Sequence, residues 1–161
     1  MTVPNDDQEV QRRTVRGIAR WLGISTAAFW LAFFLFAVGI AENQAGAVLA
    51  GCYYGMLASI VGMVLGYLFV LLEPATLSDR RGRVLLSASF ATLILFSGGM
   101  LLETIYADPP QGQLTVWRAL SIVGMAAAAT TFTIALARGC RLLFAAAFLL
   151  LIVANLLYAY A

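Results

Sequence analysis

Five stretches of this chain, residues 21–41, 45–72, 84–102, 119–137 and 142–161, contain no Asp, Glu or Arg. Each comes close to, or exceeds, the roughly 20 apolar residues a helix needs to cross a hydrocarbon core about 30 Å thick. A charge held at mid-membrane costs roughly 2.5–3.5 kcal/mol on the insertion scale, and every charge here lies outside these runs. The pattern points to an all-α integral membrane protein, a bundle of five transmembrane helices. Composition agrees: with 62% hydrophobic and 11% charged residues in 161, a soluble domain has no way to hide so much apolar surface.

The arginines set the orientation. Arg12, Arg13, Arg16 and Arg20 precede the first run, Arg80, Arg81 and Arg83 separate the second from the third, and Arg138 and Arg141 separate the last two. The opposite side holds only Arg118. By the positive-inside rule the N-terminus is cytoplasmic and the C-terminus outside. An even number of spans would place an arginine cluster on the wrong side. Trp21 falls at the inner boundary and Tyr106, Trp117, Tyr158 and Tyr160 at the outer one, as interfacial aromatics do. Residues 21–41 read as a retained anchor, because a cleaved signal has an apolar core of only about 7–15 residues. The expected location is a plasma (inner) membrane, multi-pass and prokaryotic. Arginine to the exclusion of lysine, beside abundant alanine, reads as the mark of a GC-rich genome.

Residues 1–20 read as a cytoplasmic basic tail and 21–161 as a single five-helix membrane domain. In the tail, Asn5 and Gln8 have capping-box spacing and Glu9 can pair with Arg13. Arg12, Arg16 and Arg20 share one helical face, and Val15, Ile18 and Leu22 share another. Such a short basic amphipathic helix suits an anionic inner leaflet. Arg12, Arg13, Arg16 and Arg20 are therefore the candidate membrane-surface residues; the alternative is that they serve only to orient the first span.

The links at 42–44 and 138–141 are so short that the spans they join must be antiparallel neighbours. Gly139 suits a left-handed helix cap, Glu73-Pro74 a helix end, and ADPPQGQ at 107–113 a surface turn. The 28 uncharged residues of the second run would be about 42 Å long as a helix, which calls for tilt or an interfacial start.

That second run carries GCYYGMLASIVGMVLG, which aligns Gly51, Gly55, Ser59, Gly62 and Gly66 on one helical stripe. In lipid a stripe of small residues is a helix-packing interface. Its partner is open between the chain's own spans and another subunit. Span three offers Ser87, Ala91, Ser97 and Gly98, and span four Ser121, Gly124, Ala128, Thr131 and Ala135.

Chemistry is scarce. The chain has no His and no Lys, so it lacks the commonest general base, the usual haem, chlorophyll and copper ligand, and a Schiff-base amine. No Walker, GxSxG, HExxH, CxxC or dinucleotide-binding motif occurs. The expectation is no enzyme, no cofactor, no metal site and no nucleic-acid partner. Glu42, Glu103 and Asp108 on the outer side read as solvated loop residues rather than a cation site. Cys52 and Cys140 lie at opposite ends of the spans and read as free thiols. Asn155 is expected to bond across helices, and the Ser and Thr of spans three and four to bond their own carbonyls.

These features together suit a non-catalytic membrane protein, an accessory or structural subunit that packs by small-residue faces into a larger complex or against copies of itself. The alternative is a small oligomeric transporter or channel for a neutral or hydrophobic solute, lined by spans three and four. A membrane-embedded sensor or assembly factor is a third reading.

Overall fold

The structure, a computed structural model, describes residues 6–42, 45–107 and 116–159. Five helices follow one another: α1 (Asp6–Ala41), α2 (Gly46–Leu72), α3 (Arg80–Ala107), α4 (Val116–Arg138) and α5 (Arg141–Ala159), with a 3-10 turn at Pro74–Leu77 between α2 and α3. No strand occurs among the described residues. Asn5 of the capping box, Asn43 and Gln44 of the first link, residues 108–113 of the outer turn and Tyr160 lie outside the described residues. So do the side chains of Glu103, Tyr106 and Tyr158.

The helix ends follow local chemistry. α2 stops at Glu73, and Pro74 opens the 3-10 turn, since the ring of a proline disfavours helix in the residue before it. Asp79 caps α3: its carboxylate accepts from the Gly82 N–H at 2.8 Å. α4 ends as expected at Gly139, φ 60°. The Cys140 N–H then reaches back to the Ala135 carbonyl at 3.0 Å, the longer bond of a Schellman motif, which a left-handed residue makes possible.

One expectation is revised. The basic tail is not a separate short helix but the first turns of α1, which continues unbroken for 36 residues into the apolar run. The change from polar to apolar at Arg20-Trp21 alters what the helix touches, not its backbone. No proline lies between residues 6 and 41, and Gly17 and Gly23 each cost only about 1 kcal/mol relative to alanine.

The chain forms two compact units, Met1–Ser89 and Phe90–Ala161, with the boundary inside α3. In the first, α1 lies against α2 and the 3-10 turn. Buried positions on α2, Met56, Ser59, Met63, Gly66 and Val70, recur at alternating steps of three and four, the spacing of interdigitating helices. In the second unit α4 packs on α5. Ser121, Met125, Ala128, Phe132 and Ala135 form the buried face of α4 and repeat the same rhythm. Phe132 stacks on Phe90 at 4.0 Å between ring centroids, and Leu101, Met125 and Ala154 close a small core.

α1 to α4 are long and apolar enough to cross a membrane; the described apolar stretch of α5, Arg141–Leu157, is shorter. Large apolar side chains stand exposed on every helix, among them Phe34, Tyr54, Leu95, Val123 and Leu149. These surfaces are compatible with a lipid environment.

Candidate functional site

The stripe on α2 meets α1. A methyl group added at Gly62 would lie 2.6 Å from the Ser25 Oγ, and one at Gly66 would overlap Leu22. At Gly55 the neighbour is the Ala32 Cβ, at 3.4 Å, while Gly51 faces open space. Ser59 is buried on the same seam and donates to the Gly55 carbonyl at 2.8 Å. As numbers rise along α1 they fall along α2, so the pair is antiparallel. Three of the five stripe residues, Gly55, Gly62 and Gly66, thus meet α1 within the first unit, and α1, rather than either small-residue face singled out on spans three and four, is what these glycines touch.

Trp21 adds a bond that the stripe alone does not reveal. Its indole N–H donates to the Gly62 carbonyl at 2.8 Å. With no side chain at 62, the indole can approach an α2 carbonyl directly. Deeper in the unit, the Tyr67 hydroxyl donates to the Ser89 Oγ at 3.0 Å, and the Ser89 hydroxyl donates to the Leu86 carbonyl.

The arginine end of the first unit is built differently from the expected surface helix. Val15, Ile18 and Leu22, the apolar face of the tail, are buried in protein. Gln11 donates to the Glu73 carboxylate at 3.1 Å, tying the start of α1 to the end of α2. With its apolar face occupied, this part of α1 is not free to sink that face into a bilayer. Arg12, Arg13, Arg16 and Arg20 remain exposed, and Arg13 pairs with Glu9 as the spacing predicts. Arg12 and Arg16 line a cavity of about 630 Å3 with Ser78 and Asp79. Arg16 and Arg20 line a second, of about 530 Å3, together with Asp79, Arg80 and Arg81. A third, of about 430 Å3, runs beside Arg80 and Arg81 along Val84 and Leu85.

In the second unit the Ser121 hydroxyl donates to the Ala154 carbonyl at 2.7 Å, and a methyl at Gly124 would lie 3.0 Å from the Ala154 Cβ. Asn155, expected to reach another helix, donates instead to its own Leu151 carbonyl at 2.8 Å. Ser87, Thr130 and Thr133 do the same one turn back, each at 2.9 Å. Cys52 and Cys140 are free and half-buried. Among the described residues no group of three or more His, Cys, Asp or Glu is placed to hold a metal.

Arg80 and Arg81, which in the sequence serve with Arg83 only to orient the chain, share a cavity with Arg16 and Arg20, a placement the sequence did not reveal. The signal was present: three arginines in a four-residue run two residues after a proline-headed turn, at a helix start, where the dipole disfavours cations. The chain matches no family model, no curated protein and no solved structure.

Proposed function

We propose that the chain is a non-catalytic multi-pass membrane protein, an accessory or structural subunit of a larger membrane assembly. It crosses five times, with the arginine-bearing N-terminus cytoplasmic and the C-terminus outside, in the plasma membrane of a prokaryote. The distribution of arginines supports the orientation, with nine on one side and Arg118 on the other. The 36 residues of α1, about 54 Å at 1.5 Å per residue, suffice to cross a core of about 30 Å and carry the tail arginines beyond it.

The observation that carries the reading is where the polar groups of the apolar helices are spent. Ser59, Ser87, Thr130, Thr133 and Asn155 bond carbonyls of their own helix, and Ser121 bonds one of its neighbour. Hydroxyls committed in this way leave little to line a solute path along α3 and α4 or to activate a substrate. Intramembrane titratable groups usually mark transport and proton routes, and the five apolar runs hold no Asp, Glu or Arg. What the helices present outward is apolar and aromatic, Trp30, Phe33 and Phe34 on α1 and Tyr53 and Tyr54 on α2, which suits lipid and the flank of another membrane subunit.

Mild-detergent extraction from the native membrane, followed by native mass analysis of everything that co-purifies, tests the proposal. A stoichiometric larger partner supports a subunit and identifies the process it serves. A lone chain or a homo-oligomer that passes neutral solutes in liposomes overturns it in favour of a small transporter.

A further inference from the structure

The arginines at the tail end are more convergent than topology requires. Positive-inside placement needs only that they lie on one side of the membrane, yet Arg16 and Arg20 from α1 line one cavity with Arg80 and Arg81 from α3. Among the described residues none of these four makes an ion pair or a side-chain hydrogen bond. The carboxylate in the cavity, Asp79, already accepts the Gly82 N–H as the cap of α3. Arg80 and Arg81 occupy the first turn of α3, where the helix dipole opposes positive charge. Four arginines thus line one cavity with a single carboxylate that already has a partner.

We propose that this cleft binds the headgroup of a phospholipid bearing two phosphates. Guanidinium groups pair with phosphate in bidentate fashion, and the adjoining cavity, which shares Arg16 and Asp79 and adds Arg12, extends the basic surface to a second phosphate. The third cavity distinguishes a lipid from a free anion. It begins at Arg80 and Arg81 and continues along Val84 and Leu85, where an acyl chain finds an apolar wall next to the charged cleft. The wall and the cleft are held together by contact between α1 and α3: Leu85 reaches to 3.3 Å from where a methyl on Gly23 would stand. Arg12, Arg16 and Arg20 thus act as one half of a discrete lipid site rather than as a general anchor to the leaflet. This inference rests on the membrane-spanning reading with that end cytoplasmic.

The full chain is reconstituted into phosphatidylcholine nanodiscs doped with diphosphatidylglycerol, or with twice as much phosphatidylglycerol to match the charge. Retained lipid is counted by native mass spectrometry, and affinity is read by titrating a headgroup-labelled diphosphatidylglycerol. The native chain should retain diphosphatidylglycerol in preference to the charge-matched lipid. Arg20→Gln with Arg81→Gln should weaken binding about 25-fold, roughly fivefold for each arginine. Arg138→Gln with Arg141→Gln, at the α4–α5 link, should leave it within twofold. Inorganic pyrophosphate at millimolar concentration should not displace the lipid. Equal losses from the two double variants, or equal retention of the two lipids, would overturn the site while leaving the membrane reading intact. Displacement by pyrophosphate would overturn the lipid in favour of a soluble anion. Extraction of the chain from its nanodiscs by alkaline carbonate would count against membrane insertion itself, and so separates failure of that reading from failure of the site.

Discussion

Replacing Gly66 by alanine adds one methyl group at the tightest point of the α1–α2 seam. That methyl would overlap the Leu22 Cδ2 and lie 2.9 Å from its Cγ. Leu22 is 0% exposed, and its branch carbon cannot give way without turning the whole side chain. Overpacking of this kind costs about 1–3 kcal/mol. The same substitution at Gly51 meets nothing within 4 Å. In both variants alanine gains up to about 1 kcal/mol of helix propensity, so the difference between them isolates the steric cost. Gly66→Ala should therefore be about 1–3 kcal/mol less stable than Gly51→Ala. The assay is reversible unfolding of the full chain in mixed micelles with increasing dodecyl sulfate, followed by the fluorescence of Trp21 and Trp30 on α1. Leu22→Ala alone should cost about 2–5 kcal/mol through the cavity it leaves. In the Gly66→Ala background it should cost about 1–3 kcal/mol less, because the clash is relieved. Equal stability of the two glycine variants, or a cycle without coupling, would falsify the seam as described.

Three other outcomes are expected. Trp21→Phe keeps the ring but removes the indole bond to the Gly62 carbonyl, and should destabilise the same unfolding transition by about 0.6 kcal/mol and no more than about 1.7; no change would mean the bond contributes nothing. Gly139→Ala forces a side chain into the left-handed region at φ 60°. It should cost about 1–2 kcal/mol, with Gly139→Asn milder because asparagine tolerates that region better, and equal stability of all three would contradict the cap. A phosphatase reporter fused after residue 161 should be active outside the cytoplasm, and activity only of a cytoplasmic reporter there would reverse the proposed count of spans.

The helices were legible where one local signal decided the matter. Glu73-Pro74 ends α2, Gly139 ends α4, and the short links at 42–44 and 138–141 make hairpins of the helices they join. The partner of the glycine stripe was harder to read, because several spans carry small residues at helical spacing and periodicity does not say which faces meet. The hairpin supplied the missing constraint. Positions roughly equidistant from the 42–44 link must lie abreast, and that alone brings Leu22 near Gly66 and Ala32 near Gly55. The short tail helix expected ahead of the first span took a change of polarity for the end of a helix, where the backbone runs on unbroken. Asn155 could satisfy its amide either across helices or one turn back, and spacing alone does not say which; it bonds the Leu151 carbonyl. The arginine cleft was hidden because its two halves lie some sixty residues apart in the sequence, and only folding of the first unit brings them to one cavity.

The unbroken course of α1 imposes a torsional phase. Each residue advances a helix by about 100°, so the arginines at 16 and 20 are aimed by the same screw that aims Leu22 and Ser25 at α2. One residue inserted between Arg20 and Trp21 would leave the seam and every arginine in place chemically, yet rotate the basic face by about 100° away from Arg80 and Arg81. The two interfaces of α1 are geared to each other, and at this point the helix can lengthen only by steps close to whole turns without disengaging one from the other.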